Sequence, residues 1–202
     1  MTMSEKGLII FVKNPVAGKV KTRLGATVGH DVALVVYNNL LTHTRRTAEQ
    51  LDCDKFLFYD TEISHEDAWS ESLFNKDVQV QGDLGMRMEK AFASVLERCD
   101  KAVIIGSDCP EINPQIIQSA FDRLDLADVV IGPTLDGGYY LLGMKSLHTA
   151  LFRDMSWSTE SVYDDTIRRI KNANLLYTQG PTLSDLDYEE DLDKFPSFRS
   201  SS

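Results

Sequence analysis

Cysteine, histidine and positive charge are all scarce in this chain, and each shortage closes a class of function. The three cysteines, Cys53, Cys99 and Cys109, are odd in number and no two stand at metal-ligand spacing. That argues against a disulfide framework or a zinc site, and for reduced thiols in a cytoplasmic protein. The four histidines, His30, His43, His65 and His148, show no ligand spacing and no convincing partner, so Ser–His–Asp and Cys–His catalysis find no support. No apolar run approaches a membrane span, and Leu8 to Val12 is far too short for a signal-peptide core. Lys and Arg number 21 against 31 Asp and Glu, a net charge of −10. A general nucleic-acid binder or a basic membrane-surface protein needs the opposite balance. Small phosphorylated substrates stay open, because they require only a local basic patch and a metal. No internal repeat, low-complexity tract or linker divides residues 1–202, which read as one domain. Oligomeric state is not legible.

What the chain does have is alternation of strand and helix patterns. Strands are expected at Leu8 to Val12, Lys55 to Tyr59, Asp77 to Gln81, Lys101 to Ile105, Asp128 to Gly132, Tyr139 to Gly143 and Leu175 to Thr178. Helices are expected at Asp31 to Leu51, Glu66 to Leu73, Asp83 to Arg98, Pro114 to Leu124, Glu160 to Asn172 and Glu189 to Phe195. Lys13 to Gly29 reads as a loop, and Ser197 to Ser202 as a frayed tail. This order points to an α/β protein, a three-layer αβα sandwich around a mostly parallel, mixed sheet.

Ile104-Ile105-Gly106-Ser107-Asp108-Cys109-Pro110 places one carboxylate at the carboxyl end of a buried strand. Open α/β sheets bind ligands there, and hard cations such as Mg²⁺ take oxygen ligands completed by substrate phosphates. Asp108 is therefore a candidate metal ligand, or else it caps a helix or closes an Asx-turn. Lys13-Asn14-Pro15-Val16-Ala17-Gly18-Lys19-Val20-Lys21-Thr22-Arg23 follows the first strand and carries four cations. It is not a P-loop, since Val20 follows Lys19 and Lys13 holds the place of the earlier glycine. Its cations can hold phosphates, or the segment is a solvated basic loop.

Gln81-Gly82-Asp83 opens a helix. There Asp83 is a good N-cap, and Gln81 and Gly82 are plausible nucleotide contacts. Asp136-Gly137-Gly138-Tyr139 is a hairpin-type turn that could also admit a sugar or phosphate. Asp185-Leu186-Asp187 puts two carboxylates on one side of an extended segment, suited to Mg²⁺ or Mn²⁺ or to an acidic helix start. Trp157 could cover a ligand or anchor the core.

Taken in order, these segments resemble the GT-A type nucleotide-diphospho-sugar transferase fold. More narrowly, they resemble a bacterial and archaeal family of uncharacterised GT-A proteins described as glycosyltransferases. The molybdenum-cofactor and phospholactate guanylyltransferases are similar, more distant relatives. The matching pieces are Phe11-Val12-Lys13 through Lys21-Thr22-Arg23-Leu24, Gln81 to Gly85, Gly106 to Pro110, Asp136 to Leu141, Trp157-Ser158-Thr159 and Asp185-Leu186-Asp187. The resemblance implies a Rossmann-like GT-A domain with Asp108 as a metal carboxylate, and Asp187, with Asp185 as runner-up, as the second metal contact. It implies that Lys21 and Arg23 act with Asp108 in catalysis. Val12, Lys13, Gly18, Lys19, Gln81, Gly82 and Ser107 complete the nucleotide side. Asp136, Gly137, Gly138, Tyr139 and Trp157 would line the acceptor or sugar side. Glycosyltransferases of this fold usually show two acids separated by one residue; Ser107-Asp108-Cys109 has one, as the nucleotidyltransferases do.

The expected function is metal-dependent nucleotidyl transfer from a nucleoside triphosphate to a phosphorylated acceptor with pyrophosphate release. One alternative is a glycosyltransferase using a nucleotide-sugar donor and a hydroxyl acceptor, with Glu160 or Asp136 as base. The other is a nucleotide-binding module without catalysis.

Overall fold

The computed structural model describes residues 4–199. Seven strands form a single sheet: β1 (Ser4–Val12), β2 (Asp54–Tyr59), β3 (Phe74–Val78), β4 (Cys99–Ile105), β5 (Val129–Pro133), β6 (Tyr139–Met144) and β7 (Tyr177–Gln179). Their order is β3-β2-β1-β4-β6-β5-β7. Only β6 runs antiparallel to its neighbours, β4 and β5. The helices are α1 (Thr22–Val28), α2 (His30–Glu49), α3 (Leu84–Leu96), α4 (Pro114–Arg123), α5 (Val162–Asn172) and α6 (Glu189–Lys194). None is long and apolar enough to cross a membrane.

Strand side chains alternate between two cores. Leu8, Ile10 and Val12 of β1 join Ala48 of α2 and Ile117, Ala120 and Phe121 of α4. Ile9 instead joins Met88, Phe92 and Val95 of α3 and Ile170 of α5, with Phe11 packed against that cluster. Helices therefore cover both faces of a mixed, mostly parallel sheet, the expected three-layer α/β architecture. Asn113 caps α4 by accepting the Ile116 N–H at 3.0 Å, with Pro114 in the first turn. Asp83 caps α3 in the same way.

Four local expectations are corrected. The stretch Lys13 to Gly29 is not loop throughout, because Thr22–Val28 forms α1. This short helix holds a glycine at its second turn, so its stability comes from packing: Leu24 is fully buried with Ala33, Val36 and Leu40 of α2 and with Leu186. Glu66 to Leu73 forms no helix. There Asp67 accepts the Trp69 N–H at 3.0 Å and the Lys76 ammonium at 2.8 Å, a local side-chain bond that competes with helical turns. The third strand starts earlier, at Phe74, and its ladder ends where Val78 meets Tyr59, the last residue of β2. Finally, Pro196–Phe198 is a 3-10 turn docked on α2, with Asn39 donating to the Phe198 carbonyl at 2.9 Å. The rest of the expected tail, residues 200–202, lies outside the described residues.

The chain leaves β1 towards β2 on one side and reaches β4 on the other. The carboxyl ends of β1 and β4 thus flank a topological switch point, where a crevice opens in sheets of this type. The basic loop follows β1 and the Asp108 loop follows β4, so both converge on it.

Candidate active site at the sheet switch point

A cleft of about 1070 Å³ opens at this edge, at the upper end of the size of small-ligand pockets. Lys21 stands at its floor. It occupies the left-handed region, φ 46° and ψ 46°, immediately before α1, a conformation uncommon for a side-chain-bearing residue and found where surrounding contacts over-determine it. Its side chain is 3% exposed, with Nζ 2.6 Å from Asp108 Oδ1 and 2.9 Å from Asp187 Oδ1. Arg23, two residues on in the first turn of α1, approaches Asp187 Oδ2 at 3.5 Å and lies over the Tyr188 ring.

The C-terminal segment reaches the site through backbone pairing. Leu183 N–H donates to the Pro133 carbonyl at 3.1 Å, and Leu186 N–H to the Asp108 carbonyl at 3.0 Å. Leu186, fully buried, packs beneath α1 and α2, so the carboxylates on either side of it face the cleft. Asp191 then accepts the N–H groups of Asp187 and Tyr188 at 3.0 and 2.9 Å, fixing the turn into α6.

Burial opposes charge on Lys21, but Asp108 and Asp187 outweigh it and hold the ammonium above the ordinary lysine range. Burial likewise opposes charge on Asp108, and Lys21 overcomes it, keeping this carboxyl below its usual range. Asp108 lies deep in the cleft, yet half its side-chain surface faces the open space there. Asp185 differs. It has no ion pair among the described residues, and burial, reinforced by Asp108, Asp136 and Asp187, pushes it up to about 7.

Tyr37 of α2 ties the two loops together. Its hydroxyl accepts the Lys13 N–H at 2.8 Å, donates to the Lys13 carbonyl at 3.1 Å and lies 3.3 Å from Ser107 Oγ. Burial pushes this phenol up to about 12, so it remains a donor. Gln79, also buried, donates to the carbonyls of Val12 and Phe58 at 3.3 and 3.1 Å, closing the wall beyond β1. Neither residue stood out as functional in the sequence. Tyr37 falls on the apolar face of its helix, and Gln79 lay inside the expected strand.

The structure brings most of the expected residues to one cleft. Val12, Lys13, Lys19, Lys21, Arg23, Ser107 and Asp108 line it, together with Asp185 and Asp187. So do Asp136, Gly138, Tyr139, Trp157 and Glu160 on the opposite wall. Four expected contacts do not line it. Gly18 is an exposed turn residue at φ 76°. Gln81 and Gly82 turn outward once β3 ends at Val78, and Gly82 (φ 139°) accepts Arg87 Nε at 2.9 Å instead. Gly137 (φ 86°) packs against the backbone of Glu160, where a Cβ would fall 2.0 Å from the carbonyl oxygen. Asp136 closes an Asx-turn, accepting from Thr134 Oγ1 at 2.5 Å and from the Gly138 N–H at 3.1 Å.

The donor set facing Lys21 is all oxygen, which suits Mg²⁺ or Mn²⁺. Among the described residues no three acidic, cysteine or histidine side chains form a ready cage for a metal. Substrate phosphates would therefore have to complete the shell.

The family model described as "Uncharacterized protein conserved in bacteria (DUF2064)" matches residues 43–159. Among solved structures, one from Desulfovibrio desulfuricans G20, provisionally named a nucleotide-diphospho-sugar transferase, is 33% identical with a TM-score of 0.88, covering 99% of this chain and 92% of that one. The inositol-1-phosphate CTP transferase of T. maritima shares the fold at 12% identity, TM-score 0.59, with 98% and 96% of the two chains covered. A manganese complex of Rv0371C from Mycobacterium tuberculosis H37Rv does so at 13% identity and TM-score 0.53, over 98% of this chain and 100% of that one. No curated protein matches the sequence significantly.

Proposed function

The chain belongs to the DUF2064 family of proteins conserved in bacteria, and from that premise and the cleft we propose that it is a metal-dependent nucleotidyltransferase. It would take a nucleoside triphosphate and a small phosphorylated acceptor. One observation carries this reading: a buried lysine, Lys21, is held between two carboxylates at the sheet's switch point, with Arg23 beside it.

An ammonium has three donors. Asp108 and Asp187 take two, leaving the third for a phosphate oxygen. Arg23, 60% exposed, offers a fork to the same phosphates. In the reaction an oxygen of the acceptor phosphate attacks the α-phosphorus, the bond from the α-phosphorus to the bridging oxygen breaks, and pyrophosphate leaves with the electron pair. Charge grows on the departing group, and Lys21 and Arg23 stabilise it there. The attacking phosphate is already anionic at neutral pH, so no general base is needed, in keeping with a cleft whose walls include no histidine among the described residues. Asp108, with Asp185 or Asp187, would hold a Mg²⁺ or Mn²⁺. Such an ion neutralises phosphoryl oxygens and orients them for in-line displacement.

A second reading, glycosyl transfer from a nucleotide-sugar, is favoured by the provisional name of the D. desulfuricans protein. The two readings release different products. Mass spectrometry of reactions with triphosphates and a set of phosphorylated acceptors supports the first if pyrophosphate appears in step with a nucleotidylated acceptor. Release of a nucleoside diphosphate from a nucleotide-sugar, with none of that, supports the second.

A further inference from the structure

The cleft has a second arm whose chemistry differs from the phosphate end. Phe11 and Tyr139 turn onto the α3 face of the sheet with Met88 and Trp157, whereas Val12 and Tyr140, their neighbours in sequence, turn onto the other face. All four line the cleft, as do Leu84, 40% exposed, and Arg87.

Much of the local structure serves to place Trp157. Its indole lies against α3 at Gly85, where a Cβ would fall 2.6 Å from Nε1 and 2.3 Å from the Phe152 carbonyl. Asp154 and Ser158 on either side of it have positive φ, 53° and 62°. Arg169 holds the loop from α5 by donating to the carbonyls of Ala150, Arg153 and Asp154.

The apolar and aromatic side chains of this arm offer a ligand almost no hydrogen bonds, although polar Ser158, Thr159 and Glu160 follow Trp157 along the cleft. Trp157 Nε1 is buried against the protein, and the Tyr139 hydroxyl is directed at Met88 Sδ, 3.9 Å away. A nucleobase is distinguished by its polar edges, and the side chains of Phe11, Leu84, Met88, Tyr139 and Trp157 do not read them. Arg87 differs. Its Nε is fixed on the Gly82 carbonyl at 2.9 Å, no carboxylate pairs with it among the described residues, and its two terminal nitrogens remain for an anion.

We propose that Phe11, Leu84, Met88, Tyr139 and Trp157 form an acceptor subsite for an unfunctionalised ring, and that Arg87 takes the anionic group attached to it. The inference rests on the nucleotidyltransferase reading for the word acceptor, but not for the binding itself. Phenyl phosphate, glycerol 1-phosphate and phenol are the probes, with affinities measured by saturation-transfer NMR on the full chain, and nucleoside triphosphate affinity is measured alongside. Phenyl phosphate should bind about tenfold or more tightly than either other probe. Trp157→Ala should erase its advantage over glycerol 1-phosphate, Trp157→Phe should keep most of it, and Arg87→Met should weaken both phosphates, with triphosphate affinity unchanged throughout. Equal binding of the two phosphates, or indifference to Arg87→Met, overturns the subsite. Loss of triphosphate affinity in Trp157→Phe also overturns it, because the arm would then hold the base. Absence of triphosphate binding to the unmodified chain, with the ring preference intact, would instead overturn the nucleotidyltransferase reading and leave the subsite standing.

Discussion

Lys21 Nζ lies 2.6 Å from Asp108 Oδ1, and the lysine side chain is almost wholly removed from solvent. The pair joins the loop after β1 to the loop after β4, across the point where the sheet reverses its order. Because Lys21 also reaches Asp187, one ammonium neutralises carboxylates from two distant parts of the chain.

Lys21→Met keeps the length of the side chain and removes the charge, leaving Asp108, Asp185 and Asp187 facing one another. Like charges in a partly enclosed site repel. The variant should lose its transfer activity and melt at a lower temperature than the parent. Millimolar Mg²⁺ without nucleotide should raise its melting temperature more than the parent's. Scanning calorimetry with and without Mg²⁺ checks this, and identical melting of the two proteins would refute it.

Leu186→Ala should be costly on two counts. The side chain is fully buried between α1 and α2, so truncation leaves a cavity worth about 2–5 kcal/mol. It also releases the segment that carries Asp185 and Asp187. Urea unfolding gives the first effect and turnover the second, and turnover measured well below the melting point should still fall.

Gly85→Ala places a methyl group against the Phe152 carbonyl and the Trp157 indole. The carbonyl is backbone and cannot rotate away, so the segment carrying Phe152 and the indole must both shift. Overpacking of this kind costs about 1–3 kcal/mol. A change in tryptophan fluorescence and near-ultraviolet dichroism should accompany the destabilisation, while far-ultraviolet dichroism stays as it was.

His148 gives the stability a pH dependence whose sign follows from its surroundings. Burial holds its pKa below the ordinary 6.5, against a smaller opposing effect of Asp128. The unfolded chain therefore binds a proton at higher pH than the folded one. The stabilisation is complete above pH 6.5 and is lost as pH falls through the folded value. Urea unfolding at pH 7.5 and pH 5 should show a larger loss for the parent than for His148→Gln; equal losses would remove the assignment.

The two-sided α/β sandwich was legible because its central strands, β1, β4, β5 and β6, carry buried apolar runs that announce themselves at any register, whereas polar β3, Phe-Asn-Lys-Asp-Val, does not. The cations of the loop after β1, Asp108 and the Asp185–Asp187 pair were legible for a related reason: each follows or flanks a buried apolar anchor. What escaped depends on distance. Helix α1 carries too few apolar residues to show a period, and it exists because Leu24 meets Leu186 from the far end of the chain. The expected helix at Glu66 to Leu73 failed because Asp67 bonds to Lys76 and to the Tyr59 hydroxyl instead. A shift of the third strand by three residues moved Gln79 to the cleft and turned Gln81 and Gly82 out of it. The role of Tyr37 rests on contacts with Lys13 and Ser107 that no local pattern encodes.

The most direct test of the account is a thermal-shift panel of nucleoside triphosphates and nucleotide-sugars, with and without Mg²⁺ or Mn²⁺, on the parent chain and on Asp108→Asn. A ligand at about 100 times its Kd adds about 2.7 kcal/mol of stability. The account predicts a metal-dependent shift, larger for a triphosphate than for any nucleotide-sugar and lost in Asp108→Asn. No shift with any nucleotide, or a shift that Asp108→Asn retains in full, would contradict it.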